Sequence, residues 1–384
     1  MGRILAVRLD SDGDVLLTGP AIRALAGLGD VDLLASPAGA AAGRLLPDVA
    51  DVLVFDAPWS GFAPPPVDAE ATRALVEDLA ARQYDAAVIF TSFHQSPLPM
   101  ALLCRLAGIG HVAATSEDYP GSLLDVRHRR DAPPGGGHEA EAALALALAA
   151  GAPDPGPGGT ALAVRRPLPR IPAGLLPDEL LPDVLLPGGL DTGAVDADRR
   201  GFVVLHPGAS VPSRALTTEH AATLAVCLAA AGRTVVVTGG PAEADRCADV
   251  VARALACAPD ATIVSIAGRT SLAELAAVLD AAACVVVGNT GPAHLAAAVG
   301  TPVVSLFSPV VPAERWAPHG VPTVLLGYQH AACRDTRARE CPVPGHPCLS
   351  EVGGADVVAA VAALTTNRTT TPTTTTEEVP SCAP

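Results

Sequence analysis

What most restricts the fold of this chain is a repeated succession: a short apolar, β-branched run, then a longer Ala/Leu-rich segment of helical period. An unbroken apolar run suits a strand buried on both faces, and a helix after each such strand is the connection a parallel sheet needs. The first half reads as strand Arg3 to Leu9, helix Val15 to Ala26, strands Val31 to Ala35 and Val52 to Phe55, and helix Ala69 to Arg82. Strand Ala86 to Phe90 and helices Leu98 to Ala107 and His138 to Ala150 complete it. A Pro-rich stretch to about Arg200 then reads as linker and irregular edge.

The pattern restarts with strand Phe202 to His206 and helix Glu219 to Ala231, then strand Thr234 to Thr238, helix Ala242 to Ala256 and strand Thr262 to Ser265. Helix Leu272 to Ala281, strand Cys284 to Gly288, helix Pro292 to Val299, strand Pro302 to Phe307 and helix Gly354 to Leu364 follow. At 384 residues the chain exceeds the size at which one core stops growing. The fold class expected is therefore α/β, with two Rossmann-like, doubly wound domains facing a central cleft where ligands meet strand carboxyl ends.

Composition removes several function classes. A net charge of −15 argues against a nucleic-acid binder, which needs a basic stripe to neutralise phosphates. All 25 basic residues are Arg, which excludes Schiff-base chemistry and a Walker-type phosphate lysine. Apolar runs stay far short of the roughly 20 residues that span a bilayer, and a cytoplasmic protein is expected. Cys333, Cys341 and Cys348, with His346, could ligate zinc or pair two thiols, but their spacing matches no zinc motif; no metal is expected.

Four segments carry candidate chemistry, each just after a strand. In LDSDGDVLLTGP, Gly13 allows a tight turn and Asp14 stands at or next to a helix N-cap; Asp10 and Asp12 are rival carboxylates, read as loop and solvent groups. In VVLHPGASVPSR, a small-residue loop offers backbone N–H groups, the Ser210 hydroxyl and the Arg214 guanidinium, a set that suits a diphosphate. In VVVGNTGPAHLAAAVGTPVVSLF, Thr290, Gly291 and the helix N-terminus form an anion site, Pro292 fits the first helical position, and His294 lies one turn in. In VVVTGGPAEADRC, Glu243 follows Gly239 and Gly240 and could accept ribose hydroxyl protons or serve as a first-turn acid.

In this order the segments resemble glycosyltransferase family 9, the heptosyltransferase family, over most of positions 1 to 364, through RILAVRLDSDGDVLLTGPAIRAL, HPGAS with Arg214, and GNTGPAHLAAAVGTPVVSLF. The resemblance implies the GT-B arrangement, here an acceptor-side domain over 1–185, a linker over 186–201 and a donor domain over 202–364; the Thr-rich tail over 365–384 has no apolar period to bury and is expected to be disordered. It makes Asp14 the general base, Arg214 the group that steadies the donor diphosphate, Thr290, Gly291, Pro292 and His294 the donor loop and Glu243 a donor ribose contact; Ser210 and Asn289 are further donor-contact candidates from the loops they occupy. Asn289 stands where many members have Asp. Gly13, His94, Gln95 and Asp118 are placed on the acceptor side.

The implied reaction is an inverting, metal-independent transfer of a heptose-like sugar from a nucleotide diphosphate donor, ADP-heptose, to a glycan or lipid-linked acceptor, with no cofactor. The membrane's inner face is an expected peripheral contact. Alternatives are another GT-B transferase or an epimerase using a different nucleotide sugar, or a non-catalytic nucleotide-sugar binding module.

Overall fold

The computed structural model describes residues 2–61, 64–92, 95–130, 137–177, 180 and 201–366. It contains two six-stranded sheets in which every pairing is parallel. The first holds β1 (Gly2–Arg8), β2 (Gly29–Ala35), β3 (Asp51–Val54), β4 (Ala86–Phe90), β5 (His111–Thr115) and β6 (Val126–His128), in the order β3-β2-β1-β4-β5-β6. The second holds β7 (Phe202–His206), β8 (Thr234–Val237), β9 (Ile263–Ser265), β10 (Cys284–Gly288), β11 (Val303–Leu306) and β12 (Thr323–Leu326), in the order β12-β11-β10-β7-β8-β9. Each sheet thus reverses its winding once, between β1 and β4 and between β7 and β10. At such a switch point the flanking loops diverge and leave a crevice at the strand carboxyl ends.

The predicted segments fall on these two crevices. Asp10 to Asp14 follow β1, Gln95 lies beyond β4, Ser210 and Arg214 follow β7, and Asn289 to His294 follow β10. Two Rossmann-like halves are therefore present, as the strand pattern predicts, in keeping with the GT-B arrangement that the family resemblance implies.

The helix Asp12–Ala26 joins the halves. Val15, Leu16, Leu17, Ala21, Ile22, Ala24 and Leu25 are all buried on it, leaving no broad polar face. Such a helix needs partners on several sides. It packs on the helix Glu139–Ala149 in its own half and on Gly291–Val299 of the other. One apolar core includes Ile4, Leu16 and Ile22 from the first half and Val204, Val285 and Leu295 from the second.

Residues 157–177 carry no helix or strand, as expected of a Pro-rich stretch, but they are more than an edge. Leu162, Val164, Ile171, Leu175 and Leu176 are buried in the shared core. Arg165 donates to the carbonyls of Leu46 (3.2 Å) and Val49 (2.9 Å) in the first half, while its neighbour Arg166 pairs with Asp280 (2.9 Å) in the second. The segment straps the halves together.

Some element bounds differ from expectation. The helix expected from Val15 begins at Asp12, with Ser11 as its N-cap, so Gly13 and Asp14 belong to the first turn. Gly13 is needed for close approach: a Cβ there would meet the Gly291 Cα at 3.2 Å and the His294 Cδ2 at 3.0 Å. β5, β6, β12 and the helix Ala40–Leu45 have no counterpart in the sequence reading, and the last helix runs on to Thr366. Of the predicted linker, residues 186–200 lie outside the described residues; of the tail predicted over 365–384, Thr365 and Thr366 instead close the last helix, and the rest lies outside the described residues.

Replacing Gly13 by Val would push branched carbon atoms against the backbone of the opposing half. Gly13→Val is expected to fold, with far-ultraviolet circular dichroism unchanged, but with a larger radius of gyration by small-angle scattering; an unchanged radius would mean that this contact does not hold the halves together.

Candidate functional site

On the first half the site is built around a charged residue in an apolar strand. Arg8 closes β1 and is only 3% exposed. Its Nη2 donates to Asp14 Oδ1 (3.0 Å) and to Ser92 Oγ (3.0 Å), and its Nε faces Asp10 Oδ2 at 2.9 Å. Asp14 Oδ2 accepts from the Ser11 hydroxyl (2.9 Å) and backbone N–H (3.4 Å). A carboxylate in the first helical turn also meets the positive end of the helix dipole. Burial pushes the Asp14 proton affinity up, but Arg8, the Ser11 hydrogen bonds and His294 outweigh it and hold the carboxyl below its ordinary range. Asp14 is thus an ionised acceptor at neutral pH.

Asp10 and Asp12 are not the solvent groups expected. Asp10 Oδ1 accepts from Gln95 Nε2 (2.6 Å), and burial, countered in part by Arg8, raises its proton affinity. Asp12 Oδ1 accepts from the backbone N–H of Ala42 (2.9 Å) and so supports the helix Ala40–Leu45. Gln95 is engaged with Asp10 and, through its Oε1, with Ser92 N–H (3.1 Å). Asp118 is exposed, and its Oδ2 accepts from Ser96 Oγ (3.3 Å), which places the two predicted acceptor-side segments side by side. His94 lies outside the described residues.

On the second half three loops meet. The β7 loop passes through buried Gly208 to exposed Ser210 and on to a 3-10 turn, Pro212–Arg214. The Glu243 carboxylate lies directly over Gly208, where any Cβ would collide with it, and it also accepts from Gly240 N–H (2.8 Å). The end of β10 also comes close, since a Cβ on Gly288 would stand 2.6 Å from the Arg214 carbonyl. Small residues at Gly208 and Gly288 therefore draw Glu243, Arg214 and the β10 loop into one group.

The helix Gly291–Val299 starts one residue earlier than expected, which puts Pro292 second. Pro292 has no N–H, and Ala293 gives its own to the Thr290 carbonyl (3.0 Å), so Gly291 carries the remaining backbone donor of this turn beside the Thr290 hydroxyl. Asn289, expected as a donor contact, is taken up elsewhere. Its Nδ2 donates to the Ser308 carbonyl and its Oδ1 accepts from Ser308 N–H, both at 3.1 Å, which ties the ends of β10 and β11. A carboxylate could not complete that pair, which accounts for Asn at this position.

The halves meet at Asp14, Arg214 and His294. Asp14 acts electrostatically on both of the others, and Arg214 acts on His294. Among the described residues, Arg214 Nε and His294 Nδ1 are buried without a hydrogen-bond partner. Burial opposes the Arg214 charge, Asp14 supports it and Arg337 opposes it, leaving the guanidinium below its usual proton affinity yet charged. Burial brings His294 down to about 4, with His138 adding to the effect. The arrangement offers an anion a cation, a backbone donor and a neutral imidazole, and offers a hydroxyl group a carboxylate.

Two features escaped the sequence reading. Arg8 left a signal, a lone charge at the carboxyl end of a buried strand. The group around His138 left none. His138 stacks on His319 at 4.3 Å, gives its Nε2 proton to the Ala317 carbonyl (2.8 Å), and caps the helix at Glu139, whose carboxylate pairs with Arg130 (2.7 Å). In the cysteine segment Cys333 and Cys348 are buried, Cys341 is half-buried, and all three are free thiols. Among the described residues no His, Cys, Asp or Glu group is placed to hold a metal ion.

Two outcomes follow from these surroundings. Asn289→Asp should lower stability by about 1–3 kcal/mol in chemical denaturation, because a buried carboxylate would then face the Ser308 carbonyl; an unchanged midpoint would contradict the pairing. Burial holds His138, His206 and His294 at about 4 against an ordinary 6.5. Below pH 6.5 the unfolded chain takes up protons that the folded chain refuses, so stability is complete above 6.5 and falls as pH drops towards 4. Denaturation midpoints should already decline between pH 6.5 and roughly 5, above the carboxylate range; a flat profile there would show that these histidines are not buried neutral.

Known proteins match the sequence and the fold. The profile of glycosyltransferase family 9 (heptosyltransferase) matches residues 72–346. No curated protein matches the chain. The fold is similar to that of the ADP-heptose LPS heptosyltransferase II of E. coli, with a TM-score of 0.67 and 20% identity over 96% of this chain and 100% of that one. It is similar also to a glycosyl transferase family 9 protein of Veillonella parvula (TM-score 0.68, 16% identity, 95% and 97% covered). The E. coli heptosyltransferase WaaC with ADP-2-deoxy-2-fluoro heptose gives a TM-score of 0.63 and 22% identity, with 94% and 99% covered. With a profile that spans well over half of its length, this chain belongs to glycosyltransferase family 9, the heptosyltransferase family.

Proposed function

We propose that this glycosyltransferase moves a heptose-like sugar from a nucleoside diphosphate donor, ADP-heptose, to a hydroxyl of a glycan or lipid-linked acceptor, with inversion at the anomeric carbon. The observation that carries the reading is the contact of Gly13, next to Asp14, with the start of the helix Gly291–Val299, together with the electrostatic pairing of Asp14 with Arg214. An ionised carboxylate from one half is thereby brought beside an anion-binding group from the other. A displacement needs a base on one side of the reacting carbon and a stabilised leaving group on the other.

In this reading the diphosphate lies against Arg214, the Thr290 hydroxyl and Gly291 N–H, with Ser210 at its edge. Glu243, over the β7 loop, accepts from the ribose hydroxyls. The acceptor oxygen attacks the anomeric carbon as the bond from that carbon to the phosphate oxygen breaks. The hydroxyl proton passes to Asp14, and the electron pair of the broken bond leaves with the nucleoside diphosphate. Arg214 and the helix dipole stabilise the charge that develops, the part a metal ion plays in other transferases, so the step is written without one. Neutral His294 packs beside the leaving group without adding charge.

The names of the similar E. coli proteins support a heptose donor, and the ADP-2-deoxy-2-fluoro heptose in the WaaC structure supports adenine as the base. The stretch matched by the family profile begins at residue 72, so the role of Asp14 rests on its geometry and on the fold. Among the described residues no helix is long and apolar enough to cross a membrane, and a lipid-linked acceptor would be reached by contact at the surface.

Two measurements on one reaction test this. Nuclear magnetic resonance of the product should show the anomeric configuration opposite to that of the donor; retention would exclude a single displacement. Asp14→Asn should slow transfer by about a hundredfold or more while nucleotide affinity is kept. Turnover close to that of the unaltered enzyme would remove Asp14 as the base.

A further inference from the structure

Arg8 is tied to more negative charge than it needs. One carboxylate would neutralise it, yet Asp10 Oδ2 (2.9 Å) and Asp14 Oδ1 (3.0 Å) both contact its guanidinium, and all three side chains are largely buried. A second buried carboxylate costs desolvation free energy that its pairing need not recover. It is nevertheless held in place: Gln95 Nε2 donates to Asp10 Oδ1 (2.6 Å), Ser92 N–H donates to Gln95 Oε1 (3.1 Å), and Ser92 Oγ accepts from Arg8 Nη2 (3.0 Å). Arg8, Asp10, Gln95 and Ser92 thus close a ring across the ends of β1 and β4, at the switch point. The residue that leaves this ring towards the other half is Asp14.

We infer that Arg8, clamped by Asp10, is a positioning residue that fixes both the direction and the basicity of the Asp14 carboxylate. The inference rests on the reading of Asp14 as the base. Arg8 alone would make Asp14 a poor proton acceptor, because a full positive charge at contact distance stabilises the ionised form. Asp10 shares that charge and repels the Asp14 carboxylate directly, so it restores proton affinity while Arg8 keeps the orientation. The other charged or titratable groups facing the unit are His294 and Arg214 from the second half, which act on Asp14, and Glu139, which acts on Arg8 and Asp10. None of these replaces Asp10, because none is held against Arg8 by the ring.

The test compares Asp10→Asn, Arg8→Gln, Arg8→Lys and Asp14→Asn in the full chain, by steady-state kinetics across pH and by carbon-13 titration of the aspartate carboxyl groups. Asp10→Asn keeps the shape of the side chain and the bond from Gln95. It should lower kcat roughly three- to tenfold at the plateau, leave the donor KM within about twofold, and move the Asp14 titration to lower pH. Arg8→Gln should move that titration and the acid limb of kcat upward by about one pH unit, and Arg8→Lys, which keeps the charge, should show little of that shift. An Asp14 titration that stays put in both Asp10→Asn and Arg8→Gln would overturn the inference, as would a loss confined to donor KM. Should Arg8→Gln fail to fold, Asp10→Asn decides alone. Asp14→Asn separates the two claims: if it keeps full turnover, the reading of the base fails, whereas if it is inactive and the titrations do not move, only the role given to Arg8 and Asp10 fails.

Discussion

Two helix N-termini from different halves of the chain touch without side chains between them, at Gly13 and Gly291. Helix starts repel one another through their dipoles and unpaired N–H groups unless negative charge is supplied. Asp14 supplies it on one side, and an anionic ligand would supply it on the other. The contact therefore makes the joint between the halves and the place where charge is handled the same place. The buried helix Asp12–Ala26, the shared apolar core and the strap at 157–177 all serve to hold that joint.

The electrostatics divide accordingly. On the first half a surplus of carboxylate is gathered on Arg8. On the second, Arg214 is half-buried, with Arg337 nearby and a buried Nε without a hydrogen-bond partner. Neither half balances its own charge well, and a phosphorylated donor placed between Asp14 and Arg214 would complete the second half without disturbing the first. His294 and His138, kept neutral by burial, add no charge there at neutral pH.

Much of this was legible in the sequence because buried parallel strands announce themselves. Ala86–Phe90, Phe202–His206 and Cys284–Gly288 stand at their expected bounds, as do the helices Ala69–Arg82 and Leu272–Ala281. Each is a run whose local pattern and tertiary burial agree. β5 and β6 were not legible, since His111–Thr115 and Val126–His128 are short and take their place only by pairing in the sheet. The candidate site behaves likewise. Asp14, Arg214 and Gly291 could be named from the turns they occupy. The burial of Asp10, the pairing of Asn289 with Ser308 and the stacking of His138 on His319 depend on partners 19 to 181 positions away, which no local pattern reveals.

The central claim is that the space between Asp14, Arg214 and the start of the helix Gly291–Val299 binds a nucleoside diphosphate. Calorimetric titration with ADP, UDP and GDP measures this directly. The account predicts binding of ADP in preference to the other two, weakened at least about tenfold in Arg214→Gln, since a charge-assisted contact contributes roughly 1.5–3 kcal/mol. Failure of all three nucleotides to bind, or ADP binding indifferent to Arg214, would contradict it.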